Sequence, residues 1–256
     1  MQITLLTDFG TKDYFVGAMK GVILSIDKRA QIVDITHEIP PQEIRSAAFT
    51  LCACFRDFPE KTIFVAVVDP GVGSSRRAIL VETENYFFIA PDNGLLSFVF
   101  NESDNFRVFE ITNENFFRKP VSQTFHGRDI FAPVAAHLSA GAKPAEFGKE
   151  ITDFVKFEET KPRNINETQI EAEIIHADHF GNLITNLKKE DLSENFVLNI
   201  GEEKIEKLQA FYAEAEKSEL FMIFGSAGFL EIVAFQDSAR EILNAKIGDK
   251  FIVDIK

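Results

Sequence analysis

Short apolar runs alternate with amphipathic segments in the first 150 residues. The runs QITLLTD, QIVDIT and TIFVAVVD are separated by helical patterns at about Asp13 to Asp27 and Pro41 to Phe58. This alternation is typical of a parallel sheet covered by helices. FVAVV is apolar at every position, as in a strand buried on both faces. The pattern predicts an N-terminal α/β domain with a mainly parallel central sheet.

Other local signals add detail to this domain. Asp13 is placed to cap the first helix, whose apolar positions recur at helical spacing. AILVETENYFFIAPD predicts a hairpin with its turn at Glu82 to Asn85, and RDIFAPVAAHLSAG predicts a helix that ends at Gly141.

A polar segment, FEETKPRNINET, separates two styles of sequence. We expect an N-terminal domain over 1–157, a linker over about 158–167 and a C-terminal domain over 168–256. Strand-like runs dominate the second part, with one short helical stretch at about Ser238 to Asn244. This pattern predicts a smaller, mostly antiparallel β domain, either a barrel or a sandwich.

Composition narrows the class of protein. The chain has 256 residues with 27 Lys and Arg against 40 Asp and Glu, a formal net charge of -13. Such a field repels phosphate backbones and anionic lipid, so we expect neither nucleic acid nor membrane as partner. No apolar run approaches the roughly 20 residues that cross a bilayer, and the N-terminus lacks a basic leader pattern, which predicts a cytoplasmic location. Cys52 and Cys54 form neither a disulfide framework nor a zinc motif.

Acids follow two of the predicted strands. Asp8 ends LLTD, and Asp69 ends VAVVD and begins DPGVGSSRR, which includes Arg76 and Arg77. Ligands of open α/β sheets bind beyond the carboxyl ends of strands, so both acids are candidates. The alternative, at about even odds for each acid, is a turn former beside surface arginines.

Two loops add polar groups. APDNGLL carries Asp92, and TFHGRDIFAP carries His126 and Asp129. We regard His126 as the candidate catalytic histidine and His137, inside a helical pattern, as structural. For Asp92 and Asp129, capping of the following helices is the favoured interpretation.

In the second domain, HADHFGNLITN suits recognition of a flat polar base, because Phe180 offers a ring face and Asn182 can donate and accept. The alternative is an Asp turn within a hairpin, with Phe180 in the core. The amides and the Ser226 hydroxyl of FGSAGFLE could hold a carboxylate.

Together, TDFGTKDYFVGAMKG, VVDPGVGSSRR, APDNGLL, FHGRDIFAP and DHFGNLITN resemble, in this order, the motifs of the S-adenosylmethionine (SAM) hydrolase family. These proteins are also called SAM hydroxide adenosyltransferases and are relatives of fluorinase and chlorinase. The resemblance implies that water displaces methionine from the ribose C5′ of SAM, giving adenosine and L-methionine, with no cofactor or metal. It also implies a homotrimer whose sites lie between the N-terminal domain of one subunit and the C-terminal domain of its neighbour.

The resemblance assigns roles by motif position. The catalytic triad falls on Asp69, Arg76 and His126, with Arg77 as the alternative arginine. Either Asp69 or His126 could accept the proton of the water. The substrate-binding positions are Asp8 for the ribose hydroxyls, Phe180 and Asn182 for adenine, Asp178 with Ser226 for the methionine amino and carboxylate groups, and Asp13 for the ammonium group.

Departures from the halogenating relatives favour water as the nucleophile. At the positions of Asp69 and His126 the fluorinase has an aromatic residue and a non-histidine, and it inserts a long loop where this chain has only the ETEN turn. A carboxylate at Asp69 would repel a halide. Ala227 replaces an arginine of those relatives, so backbone amides would have to hold the substrate carboxylate.

Two rival functions use the same residues. A metal-dependent phosphatase could bind a hard cation with Asp69, Asp92 and His126. A SAM- or adenosine-binding sensor would keep Asp69 and His126 only as structure. Metal-dependent activity would identify the phosphatase, and binding without turnover would identify the sensor.

Overall fold

A computed structural model describes residues 1–157, 161–212 and 216–256. The chain divides into two units, Met1–Phe157 and Glu158–Lys256. No helix in these described ranges is long and apolar enough to cross a bilayer. Of the predicted linker, residues 158–160 lie outside the described residues.

The first unit contains one seven-stranded sheet with helices on both faces. Its strands are β1 (Gln2–Thr7), β2 (Gln31–Thr36), β3 (Ile63–Val67), β4 (Ala78–Thr83), β5 (Phe87–Pro91), β6 (Phe106–Glu110) and β7 (Glu150–Ile151). Its helices are α1 (Phe15–Ile26), α2 (Ile44–Cys54), α3 (Ser97–Asn101) and α4 (Ala132–Ser139), the last preceded by a π-helical turn at Gly127–Phe131. The helices predicted near α1, α2 and α4 are therefore confirmed.

The sheet is mixed, so the prediction of a mainly parallel sheet is wrong. Its strand order is β2-β1-β3-β5-β4-β6-β7. Strands β2, β1, β3 and β5 are parallel, whereas β4 pairs antiparallel with β5 and with β6, and β6 pairs antiparallel with β7. The predicted β4–β5 hairpin is present, and its tight turn reverses the chain direction. Strands β6 and β7 then extend the sheet from the far edge of β4.

Strand β3 shows why the central run is apolar throughout. Ile63, Val65 and Val67 belong to the core on the α1 and α4 face, and Phe64 and Ala66 belong to the core on the opposite face. Successive side chains of a strand point to opposite faces, so a strand covered on both sides needs apolar residues at every position. Because β3 is buried on both faces, its end is held in place, and Asp69 follows two residues later.

The second unit is an antiparallel β domain, as predicted. It contains β8 (Arg163–Asn166), β9 (Gln169–Ala177), β10 (Leu183–Lys188), β11 (Phe196–Ile200), β12 (Glu203–Ile205), β13 (Leu220–Phe224), β14 (Phe229–Ala234), β15 (Lys250–Ile255) and the short helix α5 (Ala239–Ile242). The order β12-β11-β15-β9-β10-β14-β13 places β12 and β13 at the two edges, and β8 pairs with β9. A bridge between Leu208 and Met222 brings the chain after β12 to β13, which makes the sheet a near-barrel.

The sequence pattern did not indicate every strand. Strand β8 lies inside the segment predicted as linker. Its four residues are all exposed and show no alternation of apolar and polar positions, so their pattern does not predict a strand. Strand β12 has three residues and a single buried side chain. Both owe their pairing to neighbouring strands, which a local pattern does not record.

Replacing Phe64 should reveal how much the sheet depends on its aromatic packing. Phe64 is 0% exposed and stacks on Phe88 with ring centroids 5.1 Å apart. We expect Phe64→Ala to lower the free energy of unfolding by about 3–5 kcal/mol, measured by chemical denaturation. Phe180→Ala is the matched control, because this ring is 75% exposed. A comparable loss in both variants would contradict the assignment of Phe64 to the core.

Candidate active site

Three carboxylates follow three adjacent parallel strands. Asp8 and Asp92 directly follow β1 and β5, and Asp69 lies two residues beyond β3. The register pairs Thr7 with Val67, so β1 and β3 end at the same level of the sheet. The three acids thus follow the carboxyl ends of neighbouring strands, the edge at which ligands of open α/β sheets bind.

Asp69, Arg76 and His126 form one hydrogen-bonded cluster. Arg76 Nε donates to both carboxylate oxygens of Asp69, at 2.9 and 3.0 Å, and its Nη2 also donates to Oδ2. The same Nη2 lies 3.0 Å from Nδ1 of His126. The side chains of Arg76 and Asp69 are only 11% and 5% exposed, so water screens the pair weakly.

The arginine fixes the tautomer of the histidine. A guanidinium can only donate, so Nδ1 of His126 accepts from Arg76 Nη2. The proton of the neutral ring is then on Nε2. His126 therefore presents an N–H donor, rather than a free basic lone pair, on the side away from Arg76.

Electrostatics keep His126 in this neutral form. Burial lowers the pKa of His126, and the Arg76 charge lowers it further, against opposing effects of the Asp69 and Asp129 carboxylates. The net direction is below the ordinary value for histidine. At neutral pH the ring is accordingly uncharged and suited to the hydrogen bond from Arg76.

The loop that carries Asp69 and Arg76 packs against the loop that carries His126. Gly73 has a φ of +78°, and a Cβ on it would lie 2.3 Å from the backbone oxygen of Gln123. Only glycine accommodates both the backbone conformation and this contact. Ser74 stabilises the turn by donating from Oγ to the Gly71 carbonyl at 2.6 Å.

Arg77 makes different contacts from its neighbour Arg76. Its Nε and Nη2 donate to Asp92 Oδ2 at 3.0 and 2.8 Å, and its Nη1 donates to Asp153 at 3.0 Å. Burial opposes the charge of Arg77, but the hydrogen bonds to Asp153 and Asp92 outweigh it and raise the pKa. Of the two candidate arginines, Arg76 is therefore the one that contacts Asp69 and His126.

Neither Asp92 nor Asp129 caps a helix, so that interpretation is wrong. Asp92 accepts from Arg77 and from the Val155 amide at 2.8 Å, while α3 has no side-chain cap. Asp129 lies inside the π-helical turn that follows His126. Burial alone would raise the pKa of Asp129, but hydrogen bonds from Arg128 and the Ser122 amide hold it below the usual range. Its contacts brace the loop that leads to His126.

Asp8 and Asp13, the two substrate-binding candidates of the first unit, differ in their contacts. Asp8 Oδ2 accepts from the Gln42 amide at 2.9 Å, which ties the end of β1 to the start of the α2 segment. Asp13 is exposed, and α1 begins after Tyr14 without a side-chain cap. The expectation that Asp13 caps this helix is therefore wrong.

In the second unit, all four of the predicted binding residues border one cavity of about 820 Å³. They are Asp178, Phe180, Asn182 and Ser226. Asp178 Oδ1 accepts from the amides of Phe180 and Asn182 at 2.9 and 2.8 Å, and Oδ2 accepts from Asn182 Nδ2 at 2.9 Å. These bonds form an Asp turn between β9 and β10, as the alternative interpretation proposed.

Phe180 is not a core residue, however. Its ring is 75% exposed and borders the cavity. The loop is held down by Gly181, whose φ is +83° and whose Cβ position lies 2.2 Å from Ser238 Oγ. The exposed ring is therefore carried by a constrained turn rather than by a loose one.

Two cavity residues, Glu231 and Tyr212, were not predicted from the sequence. Glu231 is the single polar residue of β14, whose other five residues are all buried, and Tyr212 lies outside the strands. Burial, followed by the charges of Glu231 and Asp178, raises the pKa of Tyr212. The only feature of the sequence that could have indicated a binding role for Glu231 was its position close to the FGSAG turn.

Metal ligation finds no support in the described residues. Across these ranges no group of three or more His, Cys, Asp or Glu side chains is arranged to hold a metal ion. Asp69 and Asp92, the carboxylates of the phosphatase hypothesis, are each paired with an arginine instead.

Comparison with known proteins defines the class. A family model described as the SAM hydroxide adenosyltransferase N-terminal domain matches residues 3–148, and the model of the C-terminal domain matches residues 172–252. The chain therefore belongs to the SAM hydroxide adenosyltransferase family.

Individual relatives agree with this membership. The chain is 40% identical to a protein of Methanocaldococcus jannaschii named (R)-S-adenosyl-L-methionine hydrolase, over 97% of this chain and 94% of the relative. It is 30% identical to a fluorinase of an Actinoplanes species, over 75% of this chain and 73% of that enzyme. Among solved structures, an uncharacterized conserved protein from Thermotoga maritima superposes with a TM-score of 0.89 at 38% identity, covering 98% of this chain and 99% of that one.

Titration of His126 should reveal both of its charged neighbours. Because the Arg76 charge lowers the pKa of His126 and the Asp69 charge raises it, we expect an upward shift in Arg76→Gln and a downward shift in Asp69→Asn. Histidine NMR resonances measure both. The pKa of His137, lowered by burial alone, is the internal control and should stay constant. Shifts in the same direction in both variants would contradict the charge cluster.

Proposed function

We propose that this protein hydrolyses SAM to adenosine and L-methionine by attack of water on the ribose C5′, without a metal or cofactor. The observation that carries the proposal is the partly buried cluster in which Arg76 bridges Asp69 and His126. Family membership and the names of the full-length relatives support the reaction. This reaction needs one oriented water molecule, and the proposal is that Asp69 and His126 orient it.

In the proposed mechanism, Asp69 and His126 have complementary roles. The Nε2–H of His126 would donate to the oxygen of the water, since Nδ1 is engaged by Arg76. The Asp69 carboxylate, held in place by Arg76, would accept a proton of the water. This arrangement favours Asp69 over His126 as the proton acceptor.

The chemistry balances without an additional reactant. The water oxygen forms a bond to C5′ while the C5′–S bond breaks, and the electron pair of that bond goes to sulfur. The sulfonium becomes the neutral thioether of methionine, and the proton of the water passes through Asp69 to solvent. Because the leaving group is already good, positioning and partial desolvation of the water account for most of the required catalysis.

Substrate binding would use the residues around both loops. Phe180 and Asn182 are proposed to contact adenine, and Asp178 and Ser226 the methionine portion, since all four border one cavity. Asp8 is proposed for the ribose hydroxyls because it ends β1 beside β3. Asp13 remains proposed for the ammonium group on its motif position alone.

The product assay is the decisive test. Purified protein with SAM and excess chelator should yield adenosine and methionine in equal amounts, resolved by chromatography, with no 5′-halo-adenosine when chloride is added. Both sulfonium epimers should be assayed, because the relatives are named for the (R) form. Recovery of intact SAM without product would leave the phosphatase and the sensor as candidates. Metal-dependent activity on a phosphoester would then favour the phosphatase, and binding of SAM without turnover would favour the sensor.

Asp69→Asn should lower turnover by about 10²–10⁴-fold, because it removes the proton acceptor. Binding of adenosine, measured by calorimetry, should change little, and the same pattern is expected for His126→Ala. Asp153→Asn is the matched control, since this exposed carboxylate pairs with Arg77 and not with Arg76. Equal losses of adenosine affinity and turnover would place Asp69 at the base instead of at the water.

We also propose a cytoplasmic homotrimer in which subunits share their sites, as the family resemblance implies. Large exposed apolar side chains in the second unit, among them Phe180 and Phe211, support an interface. Light scattering should give a mass of three chains. Mixed assembly of Asp69→Asn with Asn182→Ala subunits should restore part of the turnover. A monomer, or no restoration in mixed trimers, would contradict the shared site.

A further inference from the structure

The Glu231 carboxylate occupies an unfavourable position for a charge. The register of β14 sets Glu231 opposite Ile223 on β13 and Ile184 on β10, so apolar side chains flank it on both sides. Its Oε1 lies 1.7 Å from where a Cβ on Gly225 would stand. The glycine thus leaves room for the carboxylate, which borders the 820 Å³ cavity.

Within the described ranges, the protein supplies nothing to compensate this charge. No hydrogen bond or ion pair reaches the Glu231 carboxylate from those residues, and burial, followed by the Asp178 charge, raises its pKa. The Glu231 side chain is partly buried, and removing a carboxylate from water without giving it a donor costs free energy. Such uncompensated groups, when they face a cavity, are characteristic of ligand sites.

Asp178, the nearby carboxylate, is in the opposite situation. Its two oxygens accept three hydrogen bonds from the loop of Phe180 and Asn182. Its main contribution is therefore to shape the loop and to add negative charge. Asp237 also borders the cavity, and no Lys, Arg or His is among the described lining residues. The cavity consequently favours a ligand group that is positive and rich in donors.

We propose that Glu231 binds the α-ammonium group of the methionine portion of SAM, with Asp178 as the second negative charge beside it. This inference rests on the proposed function and adds a residue that the sequence motifs did not identify. An ammonium carries three donors and a charge that relieves the repulsion between the two carboxylates. The neutral adenine amine lies beside a ring nitrogen lone pair that a carboxylate would repel, and the sulfonium has no N–H to donate.

Calorimetry with two ligands tests the proposal without relying on turnover. S-adenosylhomocysteine has the ammonium group but no sulfonium charge, and 5′-methylthioadenosine lacks the amino acid portion. In Glu231→Gln we expect about 10- to 100-fold weaker binding of the first ligand and unchanged binding of the second. Glu203→Gln is the matched control, because Glu203 is exposed on β12 and outside the cavity, so the same charge change should leave both affinities unaltered.

Each other outcome is informative. Unchanged binding of S-adenosylhomocysteine, or equal weakening of both ligands, would overturn the proposal, and the second result would move Glu231 to the base. Wild-type protein that binds neither ligand would overturn the site itself. Wild-type protein that binds both without hydrolysing SAM would contradict only the hydrolase function and leave this test valid.

A stability measurement separates binding from a purely structural role. Because Glu231→Gln removes an uncompensated carboxylate, we expect the Tm of the ligand-free variant to equal or exceed that of the wild type. A clear fall in Tm would show that the ionised side chain supports the fold and would overturn the assignment.

Discussion

The contacts of Arg76 set the geometry of the cluster of Asp69, Arg76 and His126, the proposed catalytic residues. One planar guanidinium binds both oxygens of Asp69 and donates to His126, while its charge lies over the buried ring of Phe131, 5.3 Å from the centroid. A lysine could not make these contacts together, because it lacks the rigid fork of donors. The position of the carboxylate, the tautomer of the histidine and the join between their two loops thus depend on one side chain, which is itself packed against the core.

The two units handle buried charge in opposite ways. In the first unit each buried carboxylate near the sheet edge is paired: Asp69 with Arg76, Asp92 with Arg77 and Asp129 with Arg128. Pairing keeps these groups fixed before any substrate arrives, which suits catalysis by positioning. In the second unit Glu231 has no donor among the described residues. A carboxylate without a donor is costly in the absence of a ligand but favours a cationic one. The contrast agrees with the proposal that the first unit carries the reacting groups and the second unit selects the substrate.

Local sequence patterns predicted the elements but not their long-range pairing. The continuous apolar run of β3 and the helical spacing of apolar residues in α1 identify these elements from local sequence. The acids after the strands indicated which edge of the sheet could bind a ligand. The mixed sheet was missed because the partner of β6 is chosen by contacts distant in sequence. Nor could spacing alone separate Arg76 from Arg77, since adjacent side chains point in different directions. No role was predicted for Glu231 from the sequence, because its place beside the cavity depends on the packing of the FGSAG turn against β14.

The arrangement of charge also gives a physical reason why this protein would use water as the nucleophile, although its family includes halogenating relatives. An anionic nucleophile needs converging hydrogen-bond donors and no carboxylate beside it, but here the Asp69 carboxylate lies in the cluster and takes up the guanidinium of Arg76. A halide near this cluster would meet the negative charge of Asp69 and only one neutral donor, the Nε2–H of His126. Water, which both donates and accepts, can satisfy the carboxylate and the imidazole together. Selection of the nucleophile therefore follows from the pairing of charges at the sheet edge and not from the fold, which both chemistries share.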